Sequence, residues 1–195
     1  MSSELKTREH LIEVGLKQLH LSGYTATGVK EVLDLAGVPK GSFYHCFPSK
    51  ETFAAEVLQR YADQEARRAQ RVLGDVSVPP LKRLRTYFEE LIRVYGPDAE
   101  ISGCLIGNLS LEVADHSAKL QNQLHTVFVV WQSGVAGVLR EAIELGELKR
   151  STDPDALAEF LLNSYEGALV RMKADKSKAP LEIFLRFAFE VLLKK

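Results

Sequence analysis

The sequence predicts an all-α protein. Apolar residues recur at helical spacing through most of the chain, and no segment shows the sustained alternation that is typical of β-strands. The seven prolines fall between the periodic segments and not within them. Prolines in such places mark helix ends, because a proline lacks the N–H group that the interior of a helix needs.

Composition restricts the class of protein. The chain has 195 residues, of which 46% are hydrophobic, and 25 basic residues balance 26 acidic ones. A protein that coats nucleic acid unspecifically is usually strongly basic, so any nucleic-acid contact here is expected to be local. No signal peptide is expected, because the first ten residues contain no apolar core of signal-peptide length, and no stretch approaches the roughly 20 apolar residues of a membrane span. Two cysteines cannot form a disulfide framework, which favours the reducing cytoplasm.

The first third of the chain predicts three short helices followed by a longer one. A helical apolar pattern runs from Thr7 to Ser22. Thr27 is expected to cap the second helix, Gly37 to supply the turn after it, and Pro39 to open the third. Ser49 is expected to cap the fourth helix.

Five further helical patterns follow the Pro79-Pro80 interruption. They span Leu81–Tyr95, Ile101–Ala114, Ser117–Leu145, Asp153–Lys173 and Pro180–Leu193. The last two carry wide apolar stripes, for which two interpretations stay open: ordinary core, or a two-fold dimer interface built from a helix pair of each subunit. The residues expected in such an interface are Phe160, Tyr165, Phe184, Phe187 and Val191.

The segment "KEVLDLAGVPKGSFYH" has the form of a helix-turn-helix. Its first helix is Glu31–Ala36, Gly37-Val38 is the turn, and small or extended residues begin the second helix, as entry into a DNA major groove requires. The start of that helix is expected to face base edges, and the polar groups after it are expected to bind phosphates. The candidate DNA contacts are Thr27, Lys40, Gly41, Ser42, Tyr44, His45 and Lys50.

The residues of this region do not favour a metal site or an enzyme active site. Phe43, Phe47 and Phe53 are interpreted as the apolar core of the small domain. His45 and Cys46 are adjacent, but the other histidines show no spacing of metal ligands, so neither a metal nor a cofactor is expected. The chain also lacks a phosphate-binding glycine loop and a nucleophile elbow, so no enzyme is expected.

The stretch from Thr7 to Phe53, "TREHLIEVGLKQLHLSGYTATGVKEVLDLAGVPKGSFYHCFPSKETF", resembles the TetR family of bacterial transcriptional regulators. The resemblance implies a homodimer that binds a double-stranded DNA operator. It also implies a DNA-binding domain over residues 1–50 and an effector-binding and dimerisation domain over 51–195, with dimerisation through the last two helices. Cys46 is a departure, because the family usually has an aromatic residue or histidine there.

Further short matches resemble one subgroup of that family. "GVPKGSFYH", "ISGCLIGNLSLEVAD" and "GALVRMK" before "APLE" are similar to the subgroup that contains the N-ethylmaleimide-responsive repressor. Lys173 matches a lysine position of this subgroup and is the candidate cation beside a reactive thiol.

The helices of the second part carry several polar or reactive residues. Cys104, Asn108, His125, Trp131 and Tyr165 are either ordinary half-buried residues or the lining of a cavity for a mostly apolar ligand. The glycines beside Cys104 predict a thiol that is open to approach at a helix start, where the thiolate is favoured. A buried, inert cysteine is the alternative.

The function predicted from the sequence is that of a cytoplasmic, homodimeric transcriptional repressor. A small molecule, or modification of a thiol by an electrophile or oxidant, is expected to release it from its operator. Two alternatives from other classes stay open: a helical thiol enzyme that uses Cys104, and a protein-interaction module.

Overall fold

The computed structural model of the chain describes residues 3–99 and 103–194. All regular structure in these two stretches is helical, so the all-α prediction is confirmed. None of the helices in them is long and apolar enough to cross a membrane. The helices are α1 Ser3–Ala26, α2 Val29–Ala36, α3 Lys40–Cys46, α4 Lys50–Leu73, α5 Pro80–Tyr95, α6 Leu105–Val113, α7 Ala118–Glu144, α8 Pro154–Asp175 and α9 Ala179–Phe187, followed by a π-helical turn at Ala188–Leu192.

The predicted helical patterns agree well with these bounds. The patterns that correspond to α5, α7 and α8 end within two residues of the observed helices. The pattern predicted to begin at Ile101 becomes α6, which begins at Leu105, while Ile101 itself lies outside the described residues. The last pattern was predicted as one helix, whereas α9 ends at Phe187 and a wider π-helical turn follows.

The chain forms two compact units, each assembled from two separate segments. The first unit contains the chain up to Gln64 together with Leu105–Val127. The second unit contains Glu65–Cys104 and the chain from Phe128 onward. The functional division at residue 50 remains a prediction, since these units describe packing and not binding.

An aromatic cluster forms the core of the first unit. The ring centroid of Phe43 lies 5.4 Å from that of Phe47 and 5.2 Å from that of Phe53, and the last two are 5.0 Å apart. All three side chains are almost completely buried, which confirms the prediction that they form the core. Gly15 of α1 packs directly against this cluster, because a Cβ at that position would lie 2.2 Å from Cζ of Phe53.

Several helix ends form as the local sequence predicts. Gly37 ends α2 in the left-handed region with φ of 65°. The Ser49 hydroxyl accepts from the N–H of Thr52 at 3.1 Å and thereby caps α4. The Asp153 carboxylate accepts from two backbone N–H groups at the start of α8, with Pro154 in the first turn.

Two predicted helix starts are wrong by one residue. Gly28, not Thr27, is the N-cap of α2, and it caps through its extended backbone alone. Pro39 is the N-cap of α3 and precedes its first turn, with ψ of 150°. In both cases the backbone conformation just before the helix decides the boundary, and residue preference does not reveal it.

The core of the second unit joins α5, α8 and α9. The Phe88 ring lies 5.6 Å from the Tyr165 ring and 5.0 Å from the Phe184 ring, measured between centroids. Arg83 is only 3% exposed, and its guanidinium donates to the Leu73 carbonyl and to the Glu141 carboxylate. A buried charge with both a carboxylate and a carbonyl partner is stable where an unpaired one would not be.

Candidate DNA-binding surface and candidate sensor cluster

Apolar side chains hold the helix-turn-helix from the inside. Val32 and Leu33 of α2 and Phe43 of α3 are buried. After the turn at Gly37, the N–H of Val38 donates to the carbonyl of Leu33 at 3.2 Å. The other side of α3 is therefore left exposed.

The start of α3 carries the residues predicted to face base edges. Lys40 and Gly41 are exposed, and Ser42 is half-buried. A Cβ at Gly41 would meet no atom of the chain within 4 Å. The fold itself therefore does not require a glycine at this position, which leaves room for close approach by another molecule.

The side chains predicted to bind phosphates lie near this surface in two different settings. Tyr44 is 55% exposed, and His45 is exposed with its Nε2 3.1 Å from the carboxylate of Glu4. Lys50 is half-buried, with its ammonium 4.3 Å from the centroid of the Tyr24 ring. Burial lowers the pKa of Lys50. The role of these side chains as DNA contacts stays a prediction.

Thr27 has a different environment from the one predicted. Its side chain is 1% exposed, and its hydroxyl donates to the carbonyl of Gly23 at 2.6 Å. The side chain is committed to the end of α1, where Gly23 interrupts the regular helix with φ of 81°. The structure therefore contradicts the prediction that the Thr27 side chain contacts DNA.

Glu112 of α6 is a residue that the sequence did not single out. Its carboxylate accepts from the backbone N–H of Thr25 at 2.9 Å. It also opposes the effect of burial on the pKa of Lys50, because a nearby negative charge favours the ammonium form. A glutamate near the end of a helix is usually solvated, so its contact with the end of α1 had no sequence signal.

Cys104 lies directly before α6, after Gly103 with φ of 92°. The predicted position at a helix start is therefore confirmed. The thiol is only 4% exposed, so the expectation that it is open to approach is wrong.

Glu166 of α8 is the immediate polar neighbour of this thiol. The Cys104 thiol forms a side-chain hydrogen bond with the Glu166 carboxyl. Burial raises the pKa of Glu166 to about 7, and the hydrogen bond from the thiol acts against this effect. The sequence offered one signal that was not used, an acidic residue on the buried stripe of α8 between Leu162 and Leu169.

Two phenols complete the surroundings of Cys104. Burial raises the pKa of Tyr165 well above its ordinary value, and negative charge on Cys104 and Glu166 acts in the same direction. Burial also raises the pKa of Tyr87. Both phenols therefore keep their protons at neutral pH and are available as hydrogen-bond donors.

Three polar atoms in the surroundings of Cys104 are buried without a hydrogen-bond partner among the described residues: Trp131 Nε1, Tyr165 Oη and Glu166 Oε1. The Trp131 and Tyr165 rings meet edge to face, with 6.2 Å between centroids. The Trp131 indole lies toward the Tyr87 hydroxyl and lowers the pKa of that phenol, but outside hydrogen-bond geometry. Because a buried polar atom without a partner is costly, such a set marks a place for a polar molecule. We name Cys104, Glu166, Tyr165 and Trp131 the sensor cluster.

The remaining predicted effector residues lie elsewhere or in other settings. Lys173 of α8 is half-buried, seven positions after Glu166. Asn108 and His125 belong to the first unit, where Asn108 is half-buried and His125 is exposed. An exposed imidazole does not line an enclosed cavity, so the prediction that His125 lines an effector cavity is wrong. No three His, Cys, Asp or Glu side chains of the described segments are grouped so that they could hold a metal ion.

The predicted dimer residues separate into exposed and buried ones. Phe160, Phe187 and Val191 are 58%, 53% and 62% exposed, and they line an apolar groove formed by α8, α9 and the π-helical turn. Phe184 is 6% exposed at the floor of that groove. Tyr165 is 1% exposed and belongs to the core and the sensor cluster. The prediction that Tyr165 lies in the dimer interface is therefore wrong.

Comparison with known proteins decides the family. The family model described as "Bacterial regulatory proteins, tetR family" matches residues 11–57, and the model described as "Tetracyclin repressor-like, C-terminal domain" matches residues 80–188. The chain belongs to the TetR family. It is a DNA-binding transcriptional regulator and not an enzyme.

Its relatives include named repressors. The chain is 39% identical to the HTH-type transcriptional repressor DhaR of Mycobacterium sp. strain GP1, over 95% of this chain and 92% of that protein. It is 33% identical to the HTH-type transcriptional repressor NemR of Escherichia coli K12, over 92% and 90%. The crystal structure of the reduced form of E. coli NemR superposes with a TM-score of 0.87, covering 95% of this chain and 96% of that one.

The buried carboxyl of this regulator predicts a specific dependence of stability on pH. Because the pKa of Glu166 rises from 4.5 to about 7 on folding, the folded state binds more protons between these values. The free energy of unfolding should therefore decrease as the pH rises through this window, by on the order of 3 kcal/mol. Glu166→Gln should remove this decrease and make the variant more stable than the wild type at pH 8.

Urea denaturation between pH 5 and pH 8 measures this effect. Glu159→Gln, which changes an exposed glutamate of the same helix, is the matched control and should keep the wild-type pH dependence. Equal pH dependence in the wild type and Glu166→Gln would show that the Glu166 carboxyl is not protonated on folding.

Proposed function

We propose that this chain is a cytoplasmic, homodimeric repressor that leaves its double-stranded DNA operator when an electrophile or oxidant modifies Cys104. The buried Cys104 thiol, hydrogen-bonded to the Glu166 carboxyl, carries this proposal. A second effector class, a small molecule that binds without a covalent bond, is favoured by the buried polar atoms of the sensor cluster.

The operator would be bound by the exposed start of α3. Lys40 and Ser42 would face base edges in a major groove, and the absence of a side chain at Gly41 would allow the DNA to come close. Tyr44, His45 and Lys50 would bind phosphates beside it. In a two-fold dimer, the two α3 helices would bind half-sites about one helical turn apart.

The dimer would form through the apolar groove of α8 and α9. Phe160, Phe187 and Val191 expose more than half of their side chains there, in a groove whose lining is mostly apolar. An exposed apolar patch of this kind favours association with another protein surface. The last two helices are also where the family resemblance predicts the contact between subunits.

Of the two cysteines, Cys104 is the better candidate for the sensor. Burial raises the pKa of the Cys46 thiol, and the negative charge of Glu4 acts in the same direction. Fewer Cys46 side chains are therefore present as the nucleophilic thiolate. Cys104 is more deeply buried, but it forms a hydrogen bond with the carboxyl group of Glu166, which can accept its proton as the sulfur reacts.

Lys173 is the proposed cation for the modified or ionised thiol. It lies on α8 seven positions after Glu166, and a separation of seven places two residues on the same face of a helix. An ammonium group close to a thiolate stabilises it and increases its population.

α6 offers a covalent route from the thiol to the DNA-binding segment. It begins at the residue after Cys104, and it carries Glu112, which binds the N–H of Thr25. A change in size or polarity at Cys104 would therefore act on the start of a helix whose end holds the chain before α2. To move the dimer from almost fully competent to almost fully incompetent, the modification must favour one state by about 5.5 kcal/mol.

The DNA contacts can be tested with two lysines. Lys50→Ala should weaken binding to operator and random DNA alike and lower the slope of log K against log salt by about 0.9, since one phosphate contact is lost. Lys40→Ala should instead change the preference among operator sequences, by about 1–3 kcal/mol at one base pair. Lys149→Ala, at an exposed lysine of the second unit, is the control. An unchanged salt slope in Lys50→Ala would remove Lys50 from the phosphate contacts.

The dimer surface can be tested with a charge in the groove. Phe187→Asp should place an unpaired carboxylate in an apolar interface and yield monomers with greatly reduced operator affinity. Val76→Asp changes a side chain that is 84% exposed outside the groove and should stay dimeric. Light scattering measures the mass of each variant, and a dimeric Phe187→Asp protein would place the interface elsewhere.

The sensor can be tested by comparing the two cysteines. Treatment with N-ethylmaleimide or hypochlorite should release operator DNA from the wild type and from Cys46→Ser, but not from Cys104→Ser. Fluorescence anisotropy of labelled operator DNA measures the release. If Cys104→Ser releases DNA as the wild type does, the thiol mechanism is wrong, and a reversible ligand of the same unit becomes the better explanation.

A further inference from the structure

We propose that Glu166 is the proton acceptor of Cys104, and that Tyr165 and Trp131 bind the oxygen of an uncharged electrophile that adds to this thiol. The site rests on the proposed function, since it concerns the same cysteine, but it assigns roles to three further side chains. It also names the chemistry of the compound that fits: a small conjugated carbonyl compound without a net charge.

The unpartnered atoms of the sensor cluster have complementary roles. Tyr165 Oη and Trp131 Nε1 are buried donors without an acceptor, and Tyr165 is 1% exposed as a residue. The two side chains touch edge to face, with 6.2 Å between ring centroids, and negative charge on Cys104 acts on the pKa of Tyr165, so the two rings and the thiol are neighbours. A carbonyl oxygen accepts two hydrogen bonds and would satisfy both donors.

Glu166 is positioned to accept the proton of the Cys104 thiol. The Cys104 thiol already donates to its carboxyl group, so the path of the proton is a hydrogen bond that exists before any compound binds. A carboxyl group that titrates near neutral pH is well matched to accept and return a proton. Glu166 Oε1 is buried without a hydrogen-bond partner among the described residues, so this oxygen can accept a proton without breaking a described hydrogen bond.

The addition is balanced without a further reactant. The thiol proton moves to the Glu166 carboxylate as the sulfur forms a bond to the β-carbon of the conjugated compound. The electron pair of the C=C bond moves toward the carbonyl oxygen, where Tyr165 and Trp131 stabilise the developing negative charge. The proton then passes from Glu166 to the α-carbon, and the product is a thioether with no leaving group.

The position of Glu166 beside the thiol disfavours electrophiles that carry a negative charge. An electrophile with a carboxylate would bring a second negative charge close to Glu166 in a buried site, where like charges repel strongly. The other ionisable groups in the electrostatic surroundings of Cys104, Tyr165 and Tyr87 are the phenol of Tyr95 and the carboxylate of Glu65, which Arg68 holds in an ion pair. Lys173, the cation proposed for the ionised thiol, lies on the same face of α8 about two turns beyond Glu166.

The kinetics of alkylation on the intact protein test this site without DNA. In a Cys46→Ser background, mass spectrometry follows the modification of Cys104 by acrylamide between pH 5 and pH 9. The rate should rise with pH through about 7, the pKa of Glu166. Glu166→Gln should react at least about tenfold more slowly at pH 7 and lose this inflection, because general base catalysis is lost. Glu166→Asp should retain the inflection, and Glu159→Gln should react as its parent does.

Two further comparisons test the oxygen site and the charge. Tyr165→Phe, which removes only a hydroxyl, should slow the reaction with acrylamide but not with allyl bromide, which has no acceptor oxygen. Iodoacetamide should modify Cys104 faster than iodoacetate, after division by the rates for a free thiol, and Glu166→Gln should reduce that ratio. Circular dichroism establishes that each variant is folded.

The outcomes separate this site from the repressor mechanism. Wild-type rates and pH dependence in Glu166→Gln would overturn the role of Glu166, even if Cys104→Ser still abolished release of DNA. Equal slowing of both alkylating agents in Tyr165→Phe would overturn the oxygen site. Conversely, release of DNA from Cys104→Ser would remove the sensor function and leave the alkylation chemistry measurable.

Discussion

The contact between Gly15 and the Phe53 ring is the constraint on which the candidate DNA-binding surface depends. Because Gly15 has no Cβ, α1 approaches α4 closely enough for the ring to fill the space between them. Phe43 and Phe47 then pack against Phe53, and this fixes which side of α3 is buried. The exposed side of α3, with Gly41 at its start, follows from that packing and is available to a second molecule.

Two partly buried glutamates of the second unit have pKa values shifted in opposite directions. Glu90 is also partly buried, but hydrogen bonds and charge from Arg71 and Arg68 outweigh burial and lower its pKa. For Glu166, burial outweighs the hydrogen bond from Cys104, and its pKa is raised to about 7. A buried carboxyl with a strongly raised pKa costs stability when it is ionised, and such groups are concentrated at functional sites. The contrast within one unit makes Glu166 a functional candidate and Glu90 a structural residue.

Burial of Cys104 limits which electrophiles can react with it. An exposed thiol is open to most electrophiles, whereas Cys104 is only 4% exposed. The neighbours of the thiol then decide which compounds react and at what pH. If Cys104 is the sensor as proposed, its selectivity would come from its immediate neighbours, chiefly Glu166 and Tyr165.

Local patterns in the sequence were sufficient for the helices and most of their ends. Ser49 and Asp153 cap their helices through atoms only a few residues away, so neighbouring residues alone determine these contacts. The helix-turn-helix was predictable for the same reason, since its turn depends on the left-handed conformation that Gly37 adopts readily. Thr27 failed as a cap because its hydroxyl binds the carbonyl of Gly23, and that contact depends on where α1 ends.

The sequence by itself determined the all-α fold and the family, and it predicted the segment that binds DNA, because these follow from periodicity and from a short, dense motif. Only the tertiary structure decided which polar residues meet. Tyr165 and Phe184 lie on the same apolar stripes as Phe187, yet packing buries the first two and leaves the third exposed. Glu166 is unremarkable in the sequence and becomes the partner of Cys104 only when α8 is packed. Helical spacing shows which residues share a face, but the neighbouring helices decide which part of that face is closed to water.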